Sequence, residues 1–236
     1  MFHIYTGDCI LHSIIGCLDG RYEKETGKPH RISMKYFKQA LLRAGLINRS
    51  LLGEDMEGED DEVDEEAEPE MDLVIVKILE WVRNNPLVSE DEYTTYDNVT
   101  EEMKRYKLSG YNPAKKNTNN KAFFTSLYAE LEDKGPIIGV IPICKDFRHD
   151  EKGGYEAKRK QDEIVDQKEF RAYQLDPSLP IPKPKPVFHA VVLTGIGREN
   201  GVDYCEYLNS HGPDFGVKAY EKICCSKLHS ITYVWV

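Results

Sequence analysis

Apolar residues recur at helical spacing near the start of the chain, where Ile10, Leu11, Ile14, Ile15 and Leu18 lie three or four apart and Gly7-Asp8 precedes them. This pattern predicts a helix over about residues 9–21, with Asp8 as its cap or first-turn acid, and an exit loop over 20–29. Met34, Phe37, Leu41 and Leu42 predict a second helix over 33–42. A third, over 71–82, carries Leu73, Val74, Val76, Ile78, Leu79, Trp81 and Val82; it is apolar almost all round, hence expected to be well buried, and Asn84-Asn85-Pro86 ends it. The period changes in the second half. An amphipathic helix over 122–131 precedes the apolar, β-branched run 137–143, a buried strand with Pro142 marking its end or an edge. Pro177, Pro180, Pro182, Pro184 and Pro186 make an extended approach to 187–193, which with 204–208 reads as two strands around a turn at Gly195-Ile196-Gly197. Residues 220–236 add further strand. Helices first and strands second predict an α+β fold with two segregated lobes.

Length changes this picture little: 236 residues suit one large domain or two small lobes. Charge changes it more. The formal charge is -10, yet twelve Asp or Glu residues and no Lys or Arg lie between positions 54 and 70, and the remainder holds 29 acids against 31 bases. Such a run repels itself and buries little, so it is expected to be a disordered surface insertion, with a docking site for a basic protein as its functional alternative. No basic stripe interleaved with aromatics appears, which argues against nucleic-acid binding. No apolar stretch is long enough for a membrane span. The first ten residues lack a basic segment before an apolar core, so no secretory signal is expected in them. Six cysteines form no CxxC pair, which argues against structural zinc, and their scatter leans toward a reducing compartment.

Cys9 is expected in the first turn of its helix, where the positive dipole end and free N–H groups favour a thiolate. Taken alone it is one buried cysteine among several. His189 starts a strand, where a lone histidine is ordinarily a satisfied core residue, and Asn209 follows the next strand, where turn chemistry would explain it.

Five ordered blocks change that reading. Gly7-Asp8-Cys9-Ile10-Leu11-His12-Ser13, with Leu18-Asp19-Gly20 and Thr26-Gly27, resembles the nucleophile helix of papain-like cysteine proteases, the family that includes cathepsins. Ser89-Glu90-Asp91-Glu92-Tyr93 resembles the segment T-E-E-S-Y, and Gly135-Pro136-Ile137-Ile138-Gly139-Val140-Ile141 resembles the strand G-P-V-S-V-A-I. His189-Ala190-Val191-Val192-Leu193 with Gly195-Ile196-Gly197 is similar to H-A-V-x-x-V-G-Y-G, and Asn209-Ser210-His211-Gly212 with Phe215-Gly216 to N-S-W-G-x-x-W-G.

The resemblance implies one papain-like peptidase domain over 1–236. Its helical lobe would cover about 1–120, with the acidic insertion 54–70, and its antiparallel β-rich lobe about 121–236, with an insertion at 145–186 and the active-site cleft between. It implies Cys9 as nucleophile, His189 as base and Asn209 as orienting group, acting on a polypeptide substrate with no metal or organic cofactor. The backbone N–H of Cys9 would be an oxyanion donor. The alternative is a catalytically impaired relative that binds peptides or proteins. Several positions depart from the family. His3 stands where it has the oxyanion glutamine, Ile10 where it has an aromatic, and His211 and Phe215 where it has the aromatics shielding the Asn–His contact. The C-x-G-G segment has no counterpart, and Thr6 replaces a disulfide cysteine. His189 lies 180 residues after Cys9, against about 130–150 in the family, a difference the two polar insertions would absorb. Members are usually lysosomal, vacuolar or secreted, which the cysteine pattern does not suggest.

Overall fold

A computed structural model describes residues 5–47, 71–95, 98–115, 121–143, 187–199, 201–210 and 220–236. The expected insertions at 54–70 and 145–186 lie outside them. The chain divides into two compact units: Met1–Pro113 together with Thr232–Val236, and Ala114–Ile231.

Three helices build the first unit. α1 spans Tyr5–Thr26 and buries Ile10, Leu11, Ile14, Cys17 and Leu18. It runs five residues past the expected end because nothing before Gly27 breaks the ladder. Gly27, at φ 68°, takes the left-handed conformation that closes it, its N–H donating to the carbonyl of Glu23 at 2.8 Å. α2 (Met34–Arg43) starts where expected, because the hydroxyl of Ser33 accepts from the N–H of Tyr36 at 3.2 Å. α3 (Met71–Asn84) departs from the expectation of burial all round. It buries one face, Met71, Ile75, Ile78, Leu79 and Val82, while Leu73 is 53% exposed. A helix on the outside of its unit needs only an i, i+4, i+7 stripe to be covered.

A short antiparallel pair, β1 (Leu87–Val88) and β2 (Lys104–Tyr106), completes this unit's local pairing. The α1–α2 connection is fixed to it and to α1: the N–H of Ser33 donates to the Val88 carbonyl, and that of Ile32 to Asp19 Oδ1, both at 2.9 Å. Tyr22, late in α1, clamps the chain after β2, its hydroxyl donating to the Lys107 carbonyl at 2.8 Å and accepting from the Lys107 N–H at 2.6 Å.

The larger sheet has the order β3-β8-β4-β5-β6-β7, with β3 at Gly110–Lys115, β4 at Ile137–Ile143, β5 at Val187–Glu199, β6 at Val202–Leu208, β7 at Tyr220–Cys224 and β8 at Ser230–Trp235. The unit boundary falls within β3 and β8; β4 to β7 belong wholly to the second unit. Neighbours from β4 to β7 pair antiparallel. Pro142, without an N–H, sits next to last in β4, opposite Phe188. The hairpin turns later than expected. Gly195-Ile196-Gly197 lies inside β5, and the pair Glu199↔Val202 puts the turn beyond them, with Gly201 at φ 82°. Asn-Gly is the strong short-hairpin signal, and it outweighs glycines that a strand can absorb. α4 (Lys121–Lys134) packs on β5 and buries Leu127 and Leu131.

Candidate functional site

Cys9 is the fifth residue of α1 as described, 3% exposed, and flanked by the buried Ile10 and Leu11. This differs from the expected first-turn position. In an α-helix the N–H of the fifth residue bonds the carbonyl four back, so that of Cys9 belongs to the helical ladder and is not an open oxyanion donor. Asp8, immediately before it, pairs with Lys38 of α2 at 2.6 Å. His3, His211 and Phe215 lie outside the described residues.

His189 is the third residue of β5 and pairs with Ile141 of β4 in the interior of the sheet. Val191, Val192 and Leu193 follow it, all buried, and His189 itself is only 4% exposed. β6 alternates buried and partly exposed residues, with Cys205 and Tyr207 inward, and the same alternation makes Asn209, one residue past the strand, buried. The register explains how residues twenty apart meet. Val192 faces Leu208, so one step further Asn209 falls opposite Val191, and His189, two residues back on the same face, is its diagonal neighbour. The contact is His189 Nε2 to Asn209 Oδ1 at 2.9 Å.

Chemistry follows from that one bond. A carboxamide oxygen only accepts, so Nε2 carries the proton and, in the neutral ring, Nδ1 carries the lone pair. Burial pushes the His189 pKa down to about 4, against the Asn209 hydrogen bond, which raises it. At neutral pH the ring is therefore an uncharged base with a fixed tautomer.

The structure brings His189 and Asn209 together within the second unit and sets Cys9, itself buried, on α1 of the first. One neighbour was not expected: the Phe188 ring, next to His189, stacks on His229, with centroids 4.1 Å apart and planes tilted by 37°. Nothing in the local sequence around His229 signals this, because it depends on how β4, β5 and the chain entering β8 align. An open groove of about 630 Å³, lined by Phe124, Tyr128, Ile196 and Arg198 among others, lies toward the other end of β5 from His189.

No protein-family model and no curated protein matches the sequence. Solved structures do match. The chain is similar to digestive procathepsin L 3 of Tenebrio molitor larval midgut, at 16% identity and a TM-score of 0.59, over 98% of this chain and 64% of that one. It is similar to the procathepsin L2 proteinase of the same insect, at 16% identity and a TM-score of 0.53, over 97% and 61%. A structure from work on antibody cross-reactivity between the mite allergens Blo t 1 and Der p 1 matches at 15% identity and a TM-score of 0.57, over 97% and 64%. The chain thus spans less than two thirds of each of these structures. Helices followed by an antiparallel sheet, with nearly the whole chain superposed on these proteins, make this an α+β chain with the papain-like fold.

Proposed function

We propose that the protein is a cysteine-type peptidase that cleaves peptide bonds of a polypeptide substrate through Cys9, His189 and Asn209. The observation that carries this reading is the buried His189–Asn209 hydrogen bond in a papain-like fold. It leaves the imidazole one acceptor atom, at Nδ1, which is what proton removal from a thiol requires. Cys9 loses its proton to that nitrogen and its sulfur attacks the peptide carbonyl, giving a tetrahedral intermediate. The imidazolium then protonates the leaving amine, the C–N bond breaks, and an acyl-enzyme thioester remains. Water, deprotonated by the same ring, releases the acid and restores the thiol. Asn209 holds the tautomer and aim of the ring throughout.

The test is hydrolysis of fluorogenic peptides by the wild-type protein and three variants, each checked for folding by circular dichroism. Cys9→Ala and His189→Ala are expected to lose on the order of 10³-fold or more in kcat/KM, and Asn209→Ala, which leaves the base but not its orientation, on the order of 10-fold or more. The wild-type acid limb is expected near pH 4, where His189 protonates and ceases to be a base. Hydrolysis undiminished in Cys9→Ala contradicts the proposal. A folded wild-type protein that binds peptides but cleaves none makes the chain a binding module.

A further inference from the structure

Cys205 and Cys225 lie twenty residues apart in sequence, and their sulfurs are 2.9 Å apart in the buried interior of the second unit. Register and turn explain the approach. Cys205 of β6 faces Ile223 of β7, and Cys225, two residues beyond Ile223, falls on the same face as the diagonal neighbour. The short 3₁₀ turn Cys225–Lys227 begins there and packs back on β6. Cys224, one residue earlier, falls on the opposite face, and its sulfur lies 2.9 Å from the hydroxyl of Ser226. The alternation of the strand thus selects one of two adjacent cysteines. Both Cys205 and Cys225 carry thiols. Their sulfur separation is under 1 Å longer than a covalent S–S bond of about 2.05 Å, so ring closure needs only a small side-chain adjustment.

We infer that Cys205 and Cys225 are an oxidisable pair, a modification site that closes as an intramolecular disulfide when the protein meets a peroxide. One sulfur, as thiolate, attacks a peroxide oxygen; the O–O bond breaks, and a sulfenic acid and, after protonation, a water result. The second sulfur attacks the sulfenic sulfur, the S–O bond breaks, and hydroxide leaves with the second thiol's proton as water. Two thiols and one hydrogen peroxide give one disulfide and two waters; each sulfur is oxidised by one electron and the peroxide is reduced by two. Access comes from the sheet edge. Among the described residues β7 is the last strand in the order and is paired on one side only, so the turn carrying Cys225 borders that edge, and local opening there admits a molecule little larger than water. The bond would fix β6, four residues before Asn209, to the turn after β7. It does not depend on the peptidase reading.

The experiment oxidises the reduced full-length protein with hydrogen peroxide, removes excess oxidant with catalase, unfolds it in guanidinium with N-ethylmaleimide, and maps peptides without reduction. A Cys205–Cys225 cross-linked peptide is expected, with Cys17 and Cys224 alkylated. Oxidation is also expected to raise Tm by roughly 6–12 °C, as for a disulfide closing a loop of this length. That rise should persist in Cys224→Ala and vanish in Cys205→Ala and Cys225→Ala. Full alkylation of Cys205 and Cys225 after oxidation, their conversion to sulfinic or sulfonic acids without a cross-link, or a bond from Cys205 to Cys224 overturns the inference. The mapping uses the native chain, so its outcome stands even where a variant fails to fold.

Discussion

Two titratable groups, the buried His189 and the half-buried Asp19, give the stability of this protein opposing responses to pH. His189, ordinarily near 6.5, is held down to about 4 by burial, against the hydrogen bond to Asn209. Between those values the unfolded chain binds the proton that the native ring does not, so the contribution of His189 is complete above 6.5 and is lost as pH falls toward 4. Asp19 behaves in reverse. Burial raises it from 3.8 to about 7, against the Ile32 backbone bond and Arg31, which lower it. Its contribution is present below 3.8 and is lost as pH rises through 7. Over the shared window the two slopes partly cancel, and single substitutions separate them. Asp19→Asn keeps an oxygen for the Ile32 N–H and should make stability, measured by urea unfolding from pH 4 to 7, rise more steeply with pH. His189→Gln should remove the loss on acidification. An unchanged slope in either variant would show that the group does not carry its shift in the native protein. Neither shift is legible in the sequence, where His189 and Asp19 are two ordinary polar residues. What the sequence does carry is the identity of the His189–Asn209 pair, through the ordered motifs around each residue.

At the scale of the elements, the parts set by local chemistry were readable and the parts set by register were not. Ser33 announces the start of α2 because a hydroxyl before an amphipathic stretch caps the free N–H groups of the first turn. Ser33→Ala is therefore expected to destabilise the protein by about 1 kcal/mol in chemical denaturation. The apolar run of β4 was legible as a strand, but the need for glycine at 139 appears only once β5 is laid beside it. A Cβ there would come within 2.8 Å of Leu193, itself fully buried. Gly139→Ala is expected to cost about 1–3 kcal/mol by overpacking. A neutral result would mean that β4 and β5 are not in the register Gly139↔Val191. Gly195 and Gly197 look like punctuation in the sequence, which places the expected hairpin turn too early. Inside β5, Gly197 instead lies beneath Tyr204, whose ring fills the place of a side chain. The Cys205–Cys225 approach was hidden for the same reason: spacing rules for cysteines look along the chain, whereas this pair forms across strands.

For the whole molecule, helices before strands and the five motif blocks carried the fold class, since each depends on local periodicity or on short residue strings. The acidic run 54–70 and the polar stretch 145–186, expected as insertions from their composition, lie outside the described residues. Less legible was the extent of α1: its end depends on where the first left-handed glycine falls, and its beginning removes the N–H of Cys9 from the open donors that local sequence had suggested. The proposed peptidase function depends on the sulfur of Cys9 being a nucleophile served by His189. The most direct measurement is covalent capture by a peptidyl vinyl sulfone or epoxide, with the modified residue located by peptide mapping in the wild-type protein and in folded His189→Ala. The expected result is one adduct per chain, on Cys9, formed far more slowly in His189→Ala. Adducts spread over several cysteines, or captured at Cys9 at the same rate without the histidine, would contradict it.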